Sequence, residues 1–457
     1  MNPDTSASEN KMGTMPVGRL LISMSLPMMA SMLVQALYNI VDSIFVARIC
    51  ENALTAVSLA FPIQTLMIGM GVGLGIGMNA VLSKALGEGN EDKVTASAMN
   101  ALFMTLINIA VFLLIGIFAV RPFYLAQTDN AEIVGFGIDY LTIVCCFSTG
   151  IFFQVIFEKM LQSTGRTFYS MLSQLSGAVV NLIFDPLLIF GLLGFPKLGV
   201  KGAAIATVAG QIVGAIVGLL LNLKKNPDVK VRVRGFRPSG RIIAEIYQVG
   251  LPSIFMQCVG SVMTYTMNQI LIVFSTTATA VFGVYFKLQS FVFMPLFGMN
   301  SGMIPIIAYN YGARNRKRMV KTIRVATIIA VGIMLFGLFI FQVFPSQLFA
   351  LFGASQHMLD MGDPALRVIS LHFPIAAVCI VFGSTFQALG NGVYSLIVSL
   401  IRQLVVLIPA AYLLSKLGEV YYVWWSFPIA EVASLIVSVI CMILMVRKVI
   451  SKVPEGA

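Results

Sequence analysis

Charge is what this sequence has least of. Lys, Arg, Asp and Glu make up 11% of its 457 residues, against roughly 25% in an average soluble domain. That leaves little room for a soluble domain. Histidine occurs only at His357 and His372, too few for a histidine metal cluster. The six cysteines (Cys50, Cys145, Cys146, Cys258, Cys379, Cys441) show no CxxC spacing, so neither a zinc site nor a disulfide framework is indicated. No GxxxxGK[ST] occurs, so the chain carries no P-loop of its own and ATP is not its direct energy source without a partner subunit. No HExxH occurs either, and a membrane-embedded metalloenzyme lacks its ligands.

Apolar residues are abundant: 58% of the chain is hydrophobic and the mean hydropathy is +0.91. A spanning helix needs about 20 apolar residues. The sequence predicts twelve, forming an all-α integral membrane protein. The first six are 19–47, 53–84, 94–120, 132–156, 164–190 and 200–222. The second six are 241–273, 278–309, 318–344, 364–386, 392–415 and 421–446. The net charge of +11 then reads as a topology signal. With the N-terminus inside, Lys84, Lys93, Arg166, the 224–241 stretch, the 314–324 stretch and Arg447 to Lys452 all face one side. Only Arg48, Arg121, Lys197, Lys201, Arg367 and Lys416 face the other. Basic loops stay cytoplasmic, so both termini are expected there. The partners this favours are the bilayer and its anionic headgroups, not nucleic acid.

The stretch 224–241, KKNPDVKVRVRGFRPSGR, is the one long polar linker. The expected organisation is a polar tail (1–16), an N-lobe (17–223), a basic cytoplasmic linker (224–240), a C-lobe (241–449) and a short tail (450–457). The two lobes match at a constant offset of 225 positions. Pro27 pairs with Pro252, Gln64 with Gln289, Gly73 and Gly77 with Gly298 and Gly302, and Gly87 with Gly312. Six spans per unit put both copies in the same orientation. Such parallel repeats place a site between them. Gly69, Gly73 and Gly77 form successive GxxxG steps, which suit close helix packing.

Two acids stand inside this apolar scaffold: Asp42 in YNIVD and Asp185 in NLIFDP. A carboxylate in hydrocarbon costs several kcal/mol and usually marks an ion or proton pathway. Gln174, Gly177, Asn181 and Asp185 share one helical face, as do Gln35, Tyr38, Asn39 and Asp42. Pro186 frees the carbonyl of Leu182, which could ligate a cation. Asp42 lies about 9 Å from the outer end of its span at 1.5 Å per residue. Asp185 sits at comparable depth, so a shared site for H⁺ or Na⁺ is geometrically open. The second lobe carries Met267 and Ala410 at the matching positions. Its own mid-membrane charges are Lys287, Arg402 and Glu431, expected as an ion-pair cluster or a gating network. Met-rich stretches suit a cavity that re-packs around different ligands.

The ordered set of LPMMASMLVQALYNIVDSIFV, GEGNEDKV, QSTGRTFYSMLSQ, NLIFDPLLIFG, GARNRKRM and QALGNGVYS resembles the multidrug and toxic compound extrusion (MATE) family. The resemblance covers nearly the whole chain. It implies two six-helix lobes around a central cavity that opens alternately to each side. It also implies export of amphipathic, often cationic drugs in exchange for H⁺ or Na⁺, without a cofactor. Asp42, Tyr140, Asn181, Asp185 and Thr207 match cation-binding positions of the prokaryotic branch that uses the N-lobe, with Na⁺ possible at Asp42, Asn181 and Asp185. Candidates for the substrate cavity are Gln35, Tyr38, Asn39, Gln154, Met267, Asn268, Lys287, Arg402 and Glu431. Another branch carries acids in its seventh and tenth helices; here span 7 has only Glu245, near its end, and span 10 has none in its middle. The expected protein is a monomeric antiporter of a bacterial or archaeal cell membrane, with Pro27, Pro186 and Pro252 as bending points. The rival is a lipid-linked oligosaccharide flippase of the same superfamily, which would favour extra helices and a more cationic cavity.

Overall fold

The computed structural model describes residues 10–231, 235–353 and 355–454. Arg232 and Arg234 of the basic linker lie outside the described residues. Every regular element among the described residues is helical. Ten helices are long and apolar enough to cross a membrane, and two bent pairs raise the total to as many as twelve.

In chain order these are α1 (Val17–Ala47), α2 (Phe61–Gly87), α3 (Glu91–Leu114), the bent α4 (Ala131–Cys146 with Thr149–Ser163), α5 (Thr167–Phe190) and α6 (Val200–Lys225). The second set is α7 (Gly240–Ile272), α8 (Thr276–Gly312), α9 (Arg316–Val343), the bent α10 (Gln356–Ser370 with Phe373–Ala388), α11 (Gly392 to Ser415) and α12 (Ser426–Lys448). Asn side chains cap the starts of α3, α4 and α9, at Asn90, Asn130 and Asn315. Each satisfies backbone N–H groups that the first helical turn leaves free.

The helix breaks differ from expectation. Pro27, Pro186 and Pro252 all lie inside continuous helices. The expected span 53–84 instead divides at Ala60, between a short helix Glu51–Leu59 and α2, whose first turn holds Pro62. Likewise α10 bends by 47° just before Pro374. A proline is tolerated in a first helical turn, where its missing N–H has no partner to lose. α4 bends by 45° at Phe147–Ser148 and runs on to Ser163, seven residues beyond the expected end.

α1 and α2 cross α8 and α7, and glycines decide how closely. A Cβ on Gly73 would meet the Gly250 carbonyl oxygen at 2.7 Å, and one on Gly77 would run into the Ile246 carbonyl. Their repeat partners behave alike: a Cβ on Gly298 would lie 2.6 Å from Met29 Cα, and one on Gly302 would lie 2.8 Å from Ser25 Oγ. At the end where both termini lie, a Cβ on Gly87 would strike the Tyr309 carbonyl and one on Gly312 the Lys84 carbonyl. Backbones therefore touch where side chains would hold them apart.

The N-terminal segment reinforces this end. Met12 is fully buried. Asn10 Nδ2 donates to the Thr164 carbonyl at 3.2 Å, whereas the Met12 carbonyl accepts from Asn310 Nδ2 at 3.1 Å and Arg318 Nη2 at 3.0 Å. The segment Asn10–Met12 thus bridges the α4–α5 turn to α8 and α9. Lys93 Nζ pairs with Glu245 Oε2 at 2.8 Å, joining α3 to α7 beside them. The Pro454 carbonyl accepts from the Arg316 N–H at 3.1 Å, so the C-terminal segment reaches the same end.

Gly298→Ala should lower the thermal stability of the detergent-solubilised protein by about 1–3 kcal/mol, the usual cost of overpacking. Gly332→Ala, with nothing within 4 Å of the added Cβ, should not lower it. Matching melting curves for the two variants would show that the glycine seam carries no packing constraint.

Candidate functional site

α1 and α5 lie side by side, and each brings its polar stripe to the contact. Gln174 Nε2 on α5 donates to Gln35 Oε1 on α1 at 2.7 Å. Farther along, the carboxyl groups of Asp42 and Asp185 come close enough to interact directly. Asp185 is fully buried and Asn181 nearly so, while Asp42 is only partly covered. Two ionised carboxylates cannot rest in such contact. The pair needs one positive charge, a proton or a small cation, to hold together.

The surrounding groups come from five helices. Asn181, with its amide turned to suit both neighbours, donates to Asp185 Oδ2 at 3.1 Å and accepts from the Thr207 N–H at 3.2 Å. This ties α5 to α6. A Cβ on Gly210 would sit 2.6 Å from the Gly177 carbonyl oxygen and 3.1 Å from Asn181 Cβ, so a glycine pair lets the two helices approach closely enough. Tyr140, on α4, is buried, and its hydroxyl accepts from Gln64 Nε2 of α2 at 3.0 Å. Tyr140 and Tyr38 both stand within electrostatic reach of the two aspartates. Asp42 Oδ1 and Asp185 Oδ1 are buried without a protein donor. Those two oxygens, with the Asn181 amide and the Tyr and Thr hydroxyls, make an all-oxygen and amide donor set. Such a set suits a proton or Na⁺ and gives soft transition metals nothing to prefer.

All five expected cation-site residues therefore converge. The cavity candidates do not. Tyr38 and Gln35 belong to the α1–α5 contact, and Asn39 is exposed. Gln154 Nε2 instead donates to Glu158 Oε1 at 3.0 Å and packs against Gly214 of α6, inside the first bundle. Met267 is fully buried in the core of the second bundle, whereas its neighbour Asn268 is only half-buried. The expected three-charge cluster loses a member. Arg402 Nη1 lies 3.8 Å from Glu431 Oε1, but Lys287 is exposed and stands over the Phe352 ring at 5.9 Å. Similar depth along a helix says nothing about which face a residue occupies. Gln64 was missed as a site residue; its signal was a polar side chain within a span, repeated at Gln289.

The sequence pattern of the MatE family matches residues 27–187 and 252–413, once in each half. A multidrug export protein MepA of Staphylococcus saprophyticus is 27% identical over 408 residues, which cover 89% of each chain. Its namesake from a bovine Staphylococcus aureus strain is 26% identical over 427 residues, 91% of each chain. A solved outward-facing multidrug resistance MATE family transporter of the MOP superfamily superposes with a TM-score of 0.92 at 25% identity, over 98% of this chain and 100% of that one. A MOP superfamily transporter from Pyrococcus furiosus, described as having a binding pocket of reversed polarity, gives 0.90 at 25% identity over 97% and 100%. With both halves matched and the fold shared from end to end, the chain belongs to the MatE family of membrane transporters.

Proposed function

We propose that this chain is a multidrug efflux antiporter. It exports amphipathic, often cationic organic compounds in exchange for H⁺ or Na⁺, and it does so by alternating access. The observation that carries the reading is the contact of two membrane-embedded carboxyls on neighbouring helices, Asp42 on α1 and Asp185 on α5. The names of the relatives, multidrug export protein and multidrug resistance transporter, supply the substrate class and do not favour a flippase.

The packing suggests how coupling works. The end that carries both termini also carries most basic loops, which makes it the cytoplasmic one. It is sealed by the Gly87–Tyr309 and Gly312–Lys84 contacts and by the N-terminal segment. A cation would then reach Asp42 and Asp185 from the outer side. Binding neutralises their repulsion and lets α1 lie against α5, with Asn181, Tyr140 and Thr207 holding the acceptor oxygens in place. The freed Leu182 carbonyl beside Pro186 is a further ligand. Loss of the cation restores the repulsion and pushes α1 away from α5. Since α1 also packs on α8, its shift is felt where the lobes meet. The chain works as a monomer in a bacterial or archaeal cell membrane.

In proteoliposomes, an imposed pH gradient or an imposed Na⁺ gradient should drive uphill movement of a fluorescent lipophilic cation. If neither does, the antiporter reading is wrong. Asp42→Asn and Asp185→Asn should each reduce gradient-driven efflux to background while membrane expression stays unchanged. Efflux at the wild-type rate in both variants would remove the aspartate pair from the coupling step.

A further inference from the structure

The second bundle holds its own buried ionisable cluster, built from different helices. Glu431 on α12 is 3% exposed. Its nearest charge is Arg402, at 3.8 Å, too far for a hydrogen bond. Glu431 Oε1 is buried without a hydrogen-bond partner, and so is the hydroxyl of Tyr285 on α8. His372 is buried at the bend of α10, and its Nδ1 is engaged by the Ile369 carbonyl. That bond assigns the Nδ1 proton and leaves Nε2 as an acceptor. His372 and Tyr285 both lie within electrostatic reach of Glu431 and Arg402. Cys379 of α10 completes the set and lies beside the buried, unpartnered hydroxyls of Ser434 and Ser438 of α12.

We propose that Glu431, with His372, Tyr285 and Arg402, forms a second proton-exchange site, in the C-lobe and independent of the aspartate pair. A buried carboxylate with an unpartnered oxygen is costly to keep ionised unless a partner is close. Arg402 is close but loosely placed, with a side chain 26% exposed. When Glu431 takes up a proton, the ion pair ends and no other bond breaks. The neutral carboxylic acid then has Tyr285 and His372 as its polar neighbours, and the Arg402 guanidinium turns to its exposed side. The ligand is a proton and not a metal ion. The site offers one carboxylate, places a guanidinium beside it and packs it among Phe293, Phe373 and Phe427, whose rings lie 5.1–6.2 Å from that of His372.

The placement gives the proton something to move. His372 occupies the 47° bend of α10. Arg402 belongs to the π-helical stretch Ile401–Val406 of α11. Stretches of this kind mark functional sites in many helices. Two irregular points of the second bundle thus meet at one carboxylate. Their counterparts in the repeat are Phe147, Gly177 and Ala206, for His372, Arg402 and Glu431. The cluster is therefore not an echo of the aspartate pair.

The first test does not depend on the antiporter reading. Infrared difference spectra of the purified full-length protein, taken between alkaline and acid pH, report protonated buried carboxyls directly. Glu431→Gln should remove a carboxylic C=O band that persists in the Asp42→Asn/Asp185→Asn double variant. Glu431→Asp should shift that band without abolishing it, which guards against a misfolded glutamine variant. A Glu431→Gln spectrum that superimposes on the wild type would overturn the proposal, as would loss of the same band in the aspartate double variant. The second test rests on antiport. At static head, with the membrane potential clamped, the proton-to-drug ratio should fall by a whole proton in Glu431→Gln. An unchanged ratio would remove the site from coupling.

Discussion

How close two helix backbones can come is the constraint on which this structure rests. In a bilayer, apolar side chains gain little by leaving lipid for protein, so helices associate mainly through packing and hydrogen bonds. Here the packing is set by glycine. Gly73 and Gly77 put α2 on α7, and Gly298 and Gly302 put α8 on α1. These are the same two positions of one repeat used twice, so the interface between lobes is itself duplicated. The seam is also reversible in principle, because it contains few bonds that must be broken. Backbone contact without interlocking side chains suits two bodies that rock against each other. Polar ties such as Asn10–Thr164, Met12–Arg318 and Lys93–Glu245 gather at one end, where opening would have to undo them.

Against this symmetric scaffold the charges are asymmetric. The first bundle places acids on α1 and α5; the second places a glutamate and an arginine on α12 and α11. A duplicated membrane protein can drift this way because lipid-facing and core positions only need to stay apolar. A polar group must be matched with a partner, and a partner on a different helix moves the site. The Gly177–Gly210 contact illustrates it. It lets α5 and α6 close up around Asn181, whereas the repeat partner of Gly177 is Arg402, whose bulk excludes such an approach.

Much of this was legible in the sequence because hydrophobic length and helical spacing are local properties. The runs of apolar residues gave the spans. The four-residue steps from Gln174 to Asp185 gave the polar face, and Pro27 with Pro252 helped to reveal the repeat. What depends on tertiary contact was not legible. Nothing local tells that Gln64 donates to Tyr140, or that residues 10–16 fold into a seam instead of trailing as a polar tail. Lys287 was misjudged because depth along an axis was known but rotation about it was not. Pro27, Pro186 and Pro252, the expected bending points, lie within continuous helices and mark no break. Two of the breaks come at Pro62 and Pro374, each in the first turn of a new helix, where a proline marks a start, and the third comes at Phe147–Ser148 with no proline.

The carboxyl pair and the glutamate cluster differ in one respect that bears on coupling. Asp42 and Asp185 lie on helices that touch each other, and α1 also touches the opposite lobe. Their repulsion when ionised acts on a helix that is part of the interlobe seam, so loss of a positive charge there can be felt across it. Glu431 and Arg402 attract each other within one bundle, on α12 and α11. Removing that attraction relaxes a bend and a π-helical stretch locally before it reaches α7, which α11 also contacts. Under the two proposals, opposite signs of interaction make the clusters respond oppositely to a proton: one is drawn together, the other released. A scaffold whose lobes meet through bare backbone can use both responses, because neither has to overcome interlocked side chains first.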